Sequence, residues 1–123
     1  MSSDSAGPIH HVALRVADPE RAAAFYAGVL GLRESRRMED AGRLRSIWLR
    51  AGDAVIMLER DLKGRGPETG SGHVLVFSVS DTATWEARLG AAGIPIDDRT
   101  AATLYVRDPD GHRVGLSVYP LPA

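Results

Sequence analysis

A chain of 123 residues, 44% apolar and 25% charged, is long enough for a sizeable core and ordinary in composition for a globular protein. Its net charge of −1 argues against nucleic acid or an anionic membrane as partner, and no apolar run reaches the length of a membrane span. Cysteine is absent, which excludes disulfides, thiolate metal ligands and a Cys nucleophile. The cations are lopsided, fourteen Arg against the single Lys63. Codon bias explains that imbalance most simply. An anion-binding surface is the second reading, because Arg33, Arg36, Arg37, Arg43 and Arg45 cluster and Arg presents a planar fork to carboxylates and phosphates. The first eight residues, M-S-S-D-S-A-G-P, lack the basic and apolar regions of a signal peptide and read as a loose tail, so the expected location is cytoplasmic.

In chain order, Ile9 to Val16 alternates, with Val12, Leu14 and Val16 on one face and His11, Ala13 and Arg15 on the other, as a half-buried strand does. Asp18-Pro19-Glu20 is a helix start, and Ala22, Phe25, Tyr26, Val29 and Leu30 recur at helical spacing up to Gly31. Extended stretches follow over Arg33–Asp40, Arg43–Leu49 and Ala54–Glu59, separated by turns at Ala41-Gly42 and Ala51-Gly52-Asp53. Arg60 to Gly72 is a polar connector rich in glycine. The order then repeats. His73–Val79 is a strand, Asp81 caps a helix with Trp85, Leu89 and Ala92 on one face, and Gly93 ends it. Pro95–Asp97 is a short strand, and a hairpin runs from Tyr105 to Tyr119 around Asp108-Pro109-Asp110-Gly111, a type I turn sequence. The repeat predicts an α+β fold, one domain over 9–123 built from two βαβββ modules, 9–60 and 72–119, joined by the Gly-rich linker. Two curved mixed sheets facing each other, with helices packed outside, would form a cup suited to a small ligand.

The residues H-V-A-L-R-V-A-D-P-E-R-A-A-A-F-Y-A-G-V-L-G-L and R-D-P-D-G-H-R-V-G-L-S-V resemble the vicinal oxygen chelate superfamily of glyoxalase I, extradiol dioxygenases, fosfomycin resistance enzymes and bleomycin resistance proteins. The resemblance covers Ile9 to Tyr119 and implies paired βαβββ modules and frequent homodimers. It further implies that metal ligands, in members that use them, come from the first and last strands of each module as two His and one or two carboxylates.

Position by position, this chain departs from that set. His11 stands at the first position. Met57 stands where a carboxylate is expected, with Glu59 two residues on and on the same face. His73 is eight residues before Asp81, whereas His11 is seven before Asp18, so strand parity matches His73 to His10 and puts Val74 in the ligand position. Only a β-bulge near Val74 to Val76 would bring His73 round. Four residues after Gly111 the last position falls on Gly115, which has no side chain to coordinate with. One imidazole does not hold a catalytic divalent ion, for which three protein ligands are the usual minimum.

The reading is therefore a small-molecule-binding protein of the glyoxalase and bleomycin resistance kind, with no metal or other cofactor, no nucleic acid or membrane partner, and a homodimeric state. Its ligand surface is expected from His11, Arg15, Trp48, Met57, Glu59, Val76, Ser78, Tyr105, Gly115 and Ser117, with Ala13 and Gly115 leaving room and Trp48 and Tyr105 able to stack on a planar ligand. The alternative is a lyase, isomerase or dioxygenase using Ni, Zn, Fe or Mn held by His11, Glu59 and His73, with Glu59 doubling as a base.

Overall fold

Alternation from His11 onward produces β1 (His11–Arg15), which pairs in parallel with β4 (Ala54–Glu59) in the computed structural model, where residues 6–64 and 72–120 are described. Parallel neighbours need a crossover, and the helix supplies it. Asp18 caps α1 (Pro19–Ala23) by accepting from the Glu20 N–H at 3.0 Å, with Pro19 in the first turn. The helix then widens into a π-helical turn over Ala24–Val29, which the apolar spacing did not reveal. Its buried face is Ala22, Ala23, Phe25, Tyr26 and Leu30. Gly31 ends it at φ 81°, a left-handed conformation that glycine adopts without strain. β2 (Arg33–Asp40) and β3 (Arg43–Ala51) complete a sheet of order β1-β4-β3-β2, with a bulge between Glu34 and Arg36.

The second unit repeats this order. β5 (Leu75–Ser78) leads to α2 (Thr82–Ala91), then β6 (Asp98–Arg99), β7 (Thr103–Arg107) and β8 (Arg113–Ser117), in a sheet of order β5-β8-β7-β6. Three expectations need correction. β5 begins at Leu75, so His73 lies ahead of the strand. The short strand is Asp98–Arg99 and not Pro95–Asp97, its partner set by Asp98 opposite Tyr105. On α2 only Leu89 is fully buried, whereas Trp85 is half-buried under Arg88 and Ala92 is exposed. The turn chemistry is as read. The Gly111 N–H donates to the Asp108 carbonyl at 3.0 Å, and Asp108 Oδ1 accepts from the Asp110 and His112 N–H groups at 2.8 Å each.

Register divides each sheet into a helix-covered and an open face. In the first, Val16, Ile47, Leu49, Ile56 and Leu58 are buried with Phe25 and Tyr26; in the second, Leu104, Val106, Val114 and Leu116 are buried, as is Leu89 of α2. Fully burying such a side chain contributes about 1.5–3 kcal/mol, so these two clusters dominate the stability of their units. The chain divides after Gly64 into two compact units, each a βαβββ module of an α+β fold. Most of the expected Gly-rich linker and of the N-terminal tail lies outside the described residues.

Candidate functional site

The open face of the first sheet carries three rows set by pairing. His11, Val55, Arg50 and Arg33 form one; Ala13, Met57, Trp48 and Arg36 the next; Arg15, Glu59, Ser46 and Met38 the third. His11 is exposed, its Nδ1 2.9 Å from Nδ1 of His10, the two rings meeting edge-on at 5.1 Å. Trp48 is half-buried and its indole N–H donates to Ser46 Oγ at 3.1 Å, which fixes the ring while satisfying its one donor. The Arg36 guanidinium lies over the indole, 5.2 Å from its centroid. Arg15 was expected to orient a ligand. Its Nε instead donates to the Leu62 carbonyl at 2.8 Å and its Nη2 to the Gly64 carbonyl.

On the second sheet the open face holds Val76, Gly115 and Tyr105 in one row and Ser78, Ser117 and Thr103 in the next. Gly115 does not leave room, which corrects the expectation. A Cβ there would stand 3.1 Å from Val76 Cγ2, 3.2 Å from Tyr105 Cε1 and 3.3 Å from Thr103 Cγ2. Tyr105 covers its cross-strand glycine with its own ring, a pairing that fills the gap glycine leaves. Arg113 lies over that ring at 4.1 Å and donates to Asp98 at 3.1 Å. Ser117 is likewise engaged, accepting from Thr103 Oγ1 at 2.8 Å and from the Tyr119 N–H at 3.0 Å.

The two modules share one register. His11 pairs with Val55 and Met57 lies two residues beyond; Leu75 pairs with Val114, so extending β5 by one residue sets Val74 against Arg113, and Gly115 lies two beyond. Trp48 opposite Met57 corresponds to Tyr105 opposite Gly115. A family model, the Glyoxalase/Bleomycin resistance protein/Dioxygenase superfamily, matches residues 8–116. The chain belongs to that superfamily. Solved structures of the same fold include FosX, a fosfomycin resistance protein from Mesorhizobium loti, at 22% identity and TM-score 0.76 over 95% of both chains. TnmS3, an antibiotic binding protein from Streptomyces sp. CB03234, has 21% identity and TM-score 0.72 over 92% of this chain and 96% of that one. A lactoylglutathione lyase from Agrobacterium tumefaciens has 23% identity and TM-score 0.68 over 91% and 93%. Likenesses below 25% identity establish the fold alone. No curated protein matches the chain.

For a member of this superfamily the metal question is one of residues. The implied ligand positions hold His11, Met57, Val74 and Gly115, which do not fit a divalent ion. Glu59 does not replace Met57, because it pairs with Arg15, four residues along from His11, or about 13 Å in strand rise. β5 pairs regularly with β8 from Leu75 to Ser78, without the bulge that His73 required. Among the described residues no three His, Asp or Glu side chains gather as a metal site.

Sequence reasoning named Arg36 only within an arginine cluster and missed Arg50 and Arg113 on the open faces. The signal for two of them was available, since Arg50 is two residues from Trp48 and Arg113 two from Gly115; Arg36 comes opposite Trp48 only through the bulge after Glu34.

Proposed function

We propose that this superfamily member binds a small organic molecule on the open face of its first sheet without a divalent metal. The observation that supports this most directly is the register, in which Met57 of the first sheet corresponds to Gly115 of the second and Glu59 pairs with Arg15, four residues along β1 from His11. His11, Trp48 and Met57 are the proposed contacts. Affinity comes mainly from apolar burial, with polar groups setting orientation. The chain is proposed to act as a homodimer.

The test is metal analysis of protein purified without a His-tag, alongside His11→Ala. The expected result is substoichiometric metal in both, with no rise in melting temperature on adding Ni, Zn, Fe or Mn. Stoichiometric metal that disappears in His11→Ala would overturn the proposal in favour of a metal-dependent lyase, isomerase or dioxygenase.

A further inference from the structure

The two open faces differ in charge although their aromatic residues occupy corresponding positions. In the second unit the cations are neutralised: Arg113 over Tyr105 pairs with Asp98, and Arg107 pairs with Asp97 at 3.2 Å. In the first unit Arg37, Arg45 and Arg60 also have acidic partners, Glu20 and Glu34, Asp40, and Asp61. Arg37 is on the helix-covered side, opposite Ile47, and its guanidinium is held more firmly protonated by Glu34 and then Glu20. Three arginines remain beside Trp48 on the open face: Arg36 over the ring, and Arg50 with Arg33 in the next row. Among the described residues, none of these three is in an ion pair. The carboxylates in register on this face are Glu59, one row beyond Trp48 and beside Arg15, and Glu39, opposite Leu44 and two rows beyond Trp48.

We infer that the Trp48 face takes the anionic end of a planar aromatic ligand, an arene carboxylate or a similar conjugated oxyanion. The inference rests on the proposed binding function and narrows its ligand class. Each part has a role. The indole is a half-buried aromatic plate whose only hydrogen-bond donor is already used by Ser46, so it offers ring surface and nothing polar. Arg36 lies over that plate, its guanidinium carbon 5.2 Å from the ring centroid, and a guanidinium can both pack on a planar ring and donate two parallel bonds to a carboxylate. Arg33 and Arg50 add unpaired positive charge in the next row, which attracts an anion and disfavours a cation.

The test is a titration of the nitrogen-labelled full chain with four probes: naphthoate, naphthamide, naphthylmethylammonium and cyclohexanecarboxylate. The readouts are the Trp48 indole N–H signal, told from that of Trp85 with a Trp85→Phe variant, and the dissociation constants. Naphthoate is expected to move the Trp48 signal and to bind about tenfold more tightly than naphthamide, the gain of one charge-assisted bond. Arg36→Ala should remove most of that advantage by weakening naphthoate more than naphthamide, and Arg36→Lys should restore only part of it. Equal affinity across the three naphthyl probes overturns the anion assignment; if Trp48 still moves, the binding function stands. Cyclohexanecarboxylate binding as tightly as naphthoate overturns the planar assignment. Naphthoate binding that leaves Trp48 unmoved, or that weakens as protein concentration rises because a second copy covers the face, overturns the location.

Discussion

Gly115 shows how far counting along a chain can go. The D-P-D-G turn fixes the register of β8, so its fourth following residue can be placed on the open face before any coordinates are seen. What fills the space above it cannot be counted, because that depends on a cross-strand partner and its rotamer. Val76, Tyr105 and Thr103 crowd the Cβ that any side chain at this position would need. Gly115→Glu is therefore expected to destabilise the fold by about 1–3 kcal/mol, as overpacking does, without creating metal affinity. Chemical denaturation with and without Ni or Zn checks both halves. Gly115→Ala should cost less, since its neighbours need give only a few tenths of an ångström. In a Val76→Ala background, which removes the nearest contact, that cost should shrink by about 0.5 kcal/mol or more, a coupling that a double-mutant cycle measures. Strict additivity would mean that Val76 is not what crowds the site.

At the scale of elements, both helices are bounded by the same local chemistry, and that is why they were legible. Asp18 and Asp81 each accept from backbone N–H groups at the start, and Gly31 and Gly93 each end at positive φ. At the end of α2 the Gly93 N–H bonds to Gly90 and the Ile94 N–H to Leu89, a Schellman closure. At the first helix the corresponding bonds run from Gly31 to Ala27 and from Leu32 to Tyr26, each one residue longer because the preceding turn is wider. That widening was not legible, since the same apolar spacing suits either turn. Asp81 has a pH signature. The Thr84 N–H, at 2.6 Å, and then the Thr84 hydroxyl hold its carboxyl below the usual range. A carboxyl lowered on folding stabilises the fold above its unfolded pKa, about 3.9, and that contribution is lost as pH falls through the folded value. Asp81→Asn, which still caps, should therefore flatten the acid limb of the stability profile below about pH 4 while keeping α2 helical. Asp81→Ala should lower the melting temperature at neutral pH. An acid limb unchanged in Asp81→Asn would mean that the cap bonds do not distinguish the ionised carboxylate.

At the scale of the whole chain, the repeat is what made the fold readable: one pattern met twice, each copy constraining the other. The ligand surface was less readable because several open-face residues are committed to partners far along the chain. Arg15 is the clearest case. Parity put it on the open face correctly, but the carbonyls it holds lie 47 and 49 residues further on, at Leu62 and Gly64, where the first unit ends. Its fork ties the end of that unit back to β1, so Arg15 acts as a clamp on this exit rather than as a ligand contact. Losing one charge-assisted bond of about 1.5 kcal/mol corresponds to roughly tenfold more frequent local opening. Arg15→Ala should accordingly speed tryptic cleavage after Lys63 by up to about tenfold under conditions where cleavage follows opening. Arg15→Lys should fall between, since one ammonium on a flexible stem does not reproduce the rigid fork. Naphthoate affinity at Trp48 should not change in either variant, because Arg15 and Trp48 stand in different rows of the sheet. A cleavage rate after Lys63 that is the same in all three proteins would remove the clamp and return Arg15 to the ligand surface.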